Sequence, residues 1–175
     1  MQTIKDDHPS PTIQVKPTPK LFAWLASTMT VALIIATQYL PRGGDPYLRG
    51  TGVMVLLLSG IFIFSPFYLL ARYGRAKEGQ NYMLAERVVD SGLYAITRHP
   101  QYLGYMLLAC GFALLSQHWG AFLLAILAAS LFYIQAVQEE RYCLARFGDP
   151  YAHYLLRVPR FNILLGIFRL LQGDK

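Results

Sequence analysis

Two short clusters in this chain could do chemistry together. Arg98-His99-Pro100 opens a long charge-free run, and Glu139-Glu140 closes it. The run between them is about twice the ~20 residues that one membrane crossing needs. Gln117-His118-Trp119-Gly120 interrupts its middle. This pattern predicts a helical hairpin over residues 101–138 that dips through a bilayer and returns. Both polar clusters then meet at one membrane face.

Each cluster has its own preference for charge. Pro100 suits the first turn of a helix, where its missing N–H costs nothing. The helix end at the membrane surface therefore carries partial positive charge. Arg98 and His99 add donors beside it, a setting that suits a carboxylate. Gln101, Tyr102 and Tyr105 extend this polar fringe, and Gly104 permits close approach of a backbone or a ligand. Interfacial anchoring is the alternative, because such side chains also favour the headgroup layer.

At the other end, Gln135, Gln138, Glu139, Tyr142 and Arg146 recur at helical spacing and form one polar stripe. Glu140 points about 100° away from Glu139, so the spacing favours Glu139 as the ligand-facing carboxylate. Carboxylates at a low-dielectric boundary need partners. Either they form salt bridges with Arg98, Arg141 or Arg146, or they hold a cationic ligand group. An amine or sulfonium would also find aromatic faces at Tyr142, Tyr151 and Tyr154. Taken together, the two ends describe a pocket for a zwitterionic amino-acid moiety.

The elements that must position these residues follow from composition. The chain has 175 residues, of which 54% are hydrophobic and 15% charged, with mean hydropathy +0.33. That places it among membrane proteins. Its net charge of +6 lies in segments flanking apolar runs, which fits anionic headgroups and not nucleic acid. The predicted fold is an all-α polytopic membrane protein with about four transmembrane helices. Residues 1–20 form a polar tail, and residues 21–175 form a single membrane domain. Spans are expected at about 21–40, 50–72, 100–116 and 119–138. Pro66 lies inside the second and should bend it or loosen one hydrogen bond. The last span should continue as helix to about Arg146. Phe147-Gly148-Asp149-Pro150 then ends it, with a left-handed glycine cap. Residues 161–171 are too short to span and should form an interfacial helix. All basic residues except Arg42 and Arg49 fall on the side of the two clusters, which predicts cytoplasmic termini and a cytoplasmic site.

Other chemistries find little support. No glycine-rich phosphate loop follows a strand, so a Rossmann nucleotide site is excluded. Cys110 and Cys143 form no paired motif and read as free thiols, and no zinc spacing or other metal site is present. His8, His118 and His153 read as tail, hairpin-turn and surface residues.

Three stretches resemble the isoprenylcysteine carboxyl methyltransferase family of integral membrane enzymes, which is itself similar to phospholipid N-methyltransferases. Residues 92–104 fit a G-x-Y-x-x-x-R-H-P-x-Y-x-G pattern, and residues 139–144 fit E-E-x-x-x-L. F-G-x-x-Y-x-x-Y at 147–154 and V-P-R-F at 158–161 follow. The resemblance covers roughly Tyr73 to Phe161, with a motif core at 92–161. It implies a membrane methyltransferase that uses S-adenosylmethionine, held in a cytosolic C-terminal segment. It further implies that His99 and the backbone near Pro100 hold the donor's carboxylate, and that Glu139 or Glu140 meets its amino group. Tyr94, Tyr102, Gly104, Tyr151 and Tyr154 would shape the pocket. Arg98 would orient an acceptor or brace the glutamates, giving Arg98, Glu139 and Glu140 as catalytic candidates. The implied partners are membrane lipids and a lipophilic or lipidated acceptor bearing a carboxylate, amine or thiol. The competing readings are a phospholipid N-methyltransferase, a sterol-reductase-like protein using a nicotinamide, and a non-enzymatic membrane binding or assembly protein.

Overall fold

The computed structural model describes residues 19–73 and 88–172. Most of the expected polar tail, together with His8, lies outside these residues, as does much of the connection between the second and third spans. Every regular element among the described residues is helical. The helices are α1 (Leu21–Tyr39), α2 (Pro46–Tyr73), α3 (Pro100–Ser116), α4 (Trp119–Phe147), α5 (Asp149–Arg157) and α6 (Ile163–Gln172), with a 3-10 turn at Gly92–Ala95. Helices α1, α2 and α4 are long and apolar enough to cross a membrane. Helix α3, with 17 residues, is shorter and equally apolar. The protein is an all-α, polytopic integral membrane protein.

Local chemistry sets the boundaries. Leu40 is extended, as the residue before Pro41 must be, and α1 stops there. Asp45 caps α2 by accepting the Tyr47 and Leu48 N–H groups at 2.8 and 3.0 Å. That cap starts α2 at Pro46, four residues before the expected start of the span. Gln117 takes a left-handed conformation with φ 55°, and His118 Nδ1 accepts the Gly120 N–H at 3.1 Å to begin α4. Gly148 has φ +62° but ψ −137°, a region open to glycine and not the left-handed cap expected from the sequence. The difference arises because α5 starts at the very next residue, so the chain must fold back at once. Asn162 Oδ1 accepts the Leu165 N–H at 3.0 Å and delays the last helix to Ile163.

Helix α2 packs along α3, α1 packs along α4, and α3 also contacts α1 and α4. Without a hydrophobic drive between helices in lipid, close approach depends on small residues. A β-carbon on Gly111 would lie 2.6 Å from Leu56 Cδ2 and 3.2 Å from the Gly52 carbonyl. Ala109, Ala113, Ala121 and Ala125 surround Leu33 in the core between α1, α3 and α4. The two turns meet at one end. Gln117 Nε2 donates to the Asp45 carbonyl at 2.7 Å, the Asp45 N–H donates to Gln117 Oε1 at 3.0 Å, and the Gly43 N–H reaches the Ser116 carbonyl at 3.1 Å. The N-termini of α1 and α3 therefore lie at the opposite end of the bundle. Glu139 sits about 30 Å along the axis from Trp119, the thickness of the hydrocarbon core.

Candidate functional site

The segment before α3 is held by the chain that follows α5. Thr97, fully buried, donates its hydroxyl to the Arg160 carbonyl at 2.6 Å. The Arg98 N–H donates to the Pro159 carbonyl at 3.1 Å. Tyr154 donates its hydroxyl to the Tyr94 carbonyl at 2.7 Å and pins the 3-10 turn. Gly166 of α6 presses against the Ile96 carbonyl, where any β-carbon would collide. Four backbone-level contacts thus aim Arg98 and His99 at the end of α4.

Glu140 is the centre of the charges gathered there. Arg160 grips both carboxylate oxygens, with Nε to Oε1 at 2.9 Å and Nη2 to Oε2 at 2.6 Å. His99 Nε2 lies 3.2 Å from Oε1, and Arg98 Nε lies 3.4 Å from the same oxygen. The carboxylate is 9% exposed. Arg160 also donates to the Tyr133 hydroxyl at 2.7 Å and stacks over that ring. The hydrogen bonds to Glu140 raise the Arg160 guanidinium above its ordinary value. Charge-assisted, forked contacts of this kind are the strong class of hydrogen bond.

Glu139 stands outside this network. Among the described residues it accepts one hydrogen bond, from the Tyr102 hydroxyl at 2.7 Å. Tyr102 belongs to an aromatic run in which His99, Tyr102, Phe132 and Tyr105 stack in turn, with centroids 5.8, 5.9 and 5.4 Å apart. Burial first, and the Glu139 charge second, push the Tyr94 hydroxyl well above the usual tyrosine value. Arg98 Nε is buried and makes no hydrogen bond among the described residues. The site therefore holds a fixed ion-pair centre, a spare guanidinium N–H and a second carboxylate with acceptor capacity remaining.

Most of the expected residues come together here: Arg98, His99, Tyr102, Glu139 and Glu140 touch one another in pairs, and Pro100 is buried at the first position of α3. Others have different places. Gly104 faces α2, where a β-carbon would meet the Ile63 N and Phe62 C atoms at 2.8 and 3.0 Å, so the approach it permits is that of a backbone. Tyr151 and Tyr154 are buried in a cluster with Val158, packed by Val88, Cys143, Phe147 and Leu155. Burial pushes both of their hydroxyls well above the ordinary range. Gln135 leaves the expected polar stripe entirely. It is buried and accepts the Ala23 N–H at 3.2 Å, capping α1, because its turn of α4 faces α1. Arg146 points to solvent and lies over the Phe147 ring. Arg160 was not anticipated as the principal partner of Glu140. Its only sequence signal is its place in the V-P-R-F stretch.

Among the described residues, no group of His, Cys, Asp and Glu could hold a metal ion. The donor set suits an amino-acid zwitterion instead. Arg98 Nε is buried, lies 3.4 Å from Glu140 Oε1 and keeps its hydrogen-bond capacity for an anion, and Glu139 can accept an ammonium. That pairing fits the amino-acid end of S-adenosylmethionine.

The profile of the phospholipid methyltransferase family matches residues 48–149. The chain is also similar to protein-S-isoprenylcysteine O-methyltransferase of Schizosaccharomyces pombe, 37% identical over 73 residues. That match covers 41% of this chain and 31% of the relative's length. No solved structure matches the chain.

Proposed function

The chain belongs to the phospholipid methyltransferase family, and from that premise we propose that it transfers a methyl group from S-adenosylmethionine to a lipophilic acceptor at the cytosolic membrane face. The observation that carries this reading is the division of labour between the two glutamates. Glu140 is fully engaged by Arg160, while Glu139 and the Arg98 Nε group keep capacity for a ligand. When bound, S-adenosylmethionine supplies an already activated methyl group on a sulfonium.

The chain's own residues would contribute alignment and charge. Arg98 and His99 would hold the carboxylate of the amino-acid moiety beside the N-terminus of α3. Glu139, fixed in direction by Tyr102, would hold the ammonium. Tyr102 and Tyr94 would present aromatic surface next to it. Fixed geometry is the main catalytic lever for such a displacement. A carboxylate acceptor needs no base. An amine or thiol acceptor must lose a proton, and Glu139 is better suited to take it than Glu140, whose lone pairs serve Arg160. The apolar acceptor would enter between helices from the lipid. A cytosolic placement is supported by the scarcity of basic residues at the end formed by the two turns. The S. pombe relative is named for isoprenylcysteine O-methylation and the family for phospholipid methylation. These names make a prenylated carboxylate and a phospholipid amine the first two acceptors to try.

The test is calorimetric titration of S-adenosylhomocysteine into detergent-purified protein, with Glu139→Gln and His99→Ala alongside. Saturable binding that weakens in both variants supports the reading. Absence of binding by folded wild-type protein would remove it in favour of a purely structural role for the charges. Transfer of a labelled methyl group to farnesylcysteine or to phosphatidylethanolamine then identifies the acceptor.

A further inference from the structure

We propose that Arg160 is a positioning residue that occupies Glu140 and so keeps the Arg98 guanidinium available for the anionic group of the ligand. The proposal rests on the reading above and extends it to a residue outside the RHP and EE elements.

The charges around Glu140 do not balance one to one. A single carboxylate faces Arg160, Arg98 and the His99 ring. Arg160 takes both oxygens with aligned bonds of 2.9 and 2.6 Å. Arg98 lies 3.4 Å away with its Nε group unsatisfied and buried. A guanidinium presents its donors as a rigid fork, so only one of the two arginines can grip the carboxylate on both oxygens. Arg160 is suited to win that place. Its ring contact and hydrogen bond with Tyr133 set its direction, and its carbonyl is tied to Thr97. Among the described residues, the result is an Arg98 Nε donor left without a hydrogen bond at the start of α3. Such a donor is what an incoming carboxylate requires.

Loss of Arg160 changes the competition. Glu140 would then be a buried carboxylate without its main partner, and Arg98 is the nearest replacement. Arg98 would turn onto Glu140, and the anion site would close without any ligand contact having been cut. Removing the Glu140 charge in the same molecule should release Arg98 again.

The experiment compares wild type, Arg160→Ala, Arg160→Lys and Arg160→Ala/Glu140→Gln in detergent. Two probes are titrated: S-adenosylhomocysteine, which carries the amino-acid group, and 5′-methylthioadenosine, which lacks it. The expected result is roughly tenfold or greater weakening of S-adenosylhomocysteine by Arg160→Ala, the scale of one hydrogen bond to a charged group. Methylthioadenosine binding should stay unchanged, Arg160→Lys should be intermediate, and the double variant should recover affinity. Equal loss of both probes, or no recovery in the double variant, overturns the proposal and makes Arg160 a simple structural tie. Unchanged binding in Arg160→Ala also overturns it. If Arg160→Ala does not fold, Arg160→Lys and the double variant carry the same comparison. Failure of wild type to bind S-adenosylhomocysteine strikes the functional reading itself, and is thereby told apart from failure of the Arg160 argument.

Discussion

Adjacent carboxylates that differ in surroundings should differ in what their loss does. Glu140→Gln keeps shape but removes the charge that Arg160, Arg98 and His99 share. Breaking a buried ion pair from one side costs about 3–5 kcal/mol. Arg160 is 25% exposed and can recover some hydration, which favours the lower figure, about 3 kcal/mol. For a chain of this size that is a fall of roughly 6–12 °C in melting temperature. Glu139→Gln leaves an amide oxygen to accept from Tyr102, so its cost is about 1 kcal/mol or less. Its effect on ligand is the reverse. Losing a charge-assisted contact to an ammonium weakens binding about 10- to 150-fold. Thermal unfolding in detergent, followed by titration with S-adenosylhomocysteine at a temperature where both variants are folded, measures the two effects separately. A Glu140→Gln protein as stable as wild type, or a Glu139→Gln protein that binds normally, would falsify the assignment of roles.

Three further outcomes follow from the packing. Gly111→Leu should lower the melting temperature by forcing apart α2 and α3, at about 1–3 kcal/mol for overpacking. Gly60→Ala, where a β-carbon meets nothing within 4 Å, should not. Tyr154→Phe loses the bond to the Tyr94 carbonyl and should cost about 1 kcal/mol near neutral pH. It should also change the alkaline limb. Burial raises the Tyr94, Tyr151 and Tyr154 hydroxyls above the ordinary value of 10. The unfolded chain then gives up those protons first, so stability is full below about pH 10 and falls as pH rises past it. Melting curves across that range should show a shallower decline in the Tyr154→Phe protein. Gln117→Ala should free the turn at the far end, read as faster amide hydrogen exchange at Gly43 and Asp45.

The hairpin was legible because its signals are local. A charge-free run, a proline at its start and a polar break place α3 and α4 to within a residue at three of their four ends. The continuation of α4 past the membrane was legible for the same reason. Partner choice was not. Glu140 meets Arg160 only because α5 turns back at Gly148, and that turn needs a conformation that glycine permits but does not announce. Tyr151 and Tyr154 are assigned to the pocket by the family resemblance. In the fold they also pack a nine-residue helix against Val158 and Cys143, a contact that composition does not announce. Gln135 shared the stripe of Glu139 in a one-helix projection. Only the position of α1 shows that this turn of the helix faces a neighbour needing an acceptor for its first amides.

Helix length and ion pairing bear on one another at this site. Helix α4 has 29 residues, about 43 Å, which exceeds the hydrocarbon core by more than two turns. Glu139 and Glu140 fall where the excess begins. One residue earlier in the helix, each carboxylate would sit deeper in the apolar layer, where its cost rises. Several turns later, neither would reach α3. At this level the helix places Glu140 under the Arg160 clamp and Glu139 against Tyr102, about 100° apart around the axis. In the proposed reaction, an apolar acceptor dissolved in the bilayer and a polar donor arriving from water would meet at such a boundary. Under that proposal the position of the glutamate pair along α4 would constrain the reaction as strongly as the identity of the residues does.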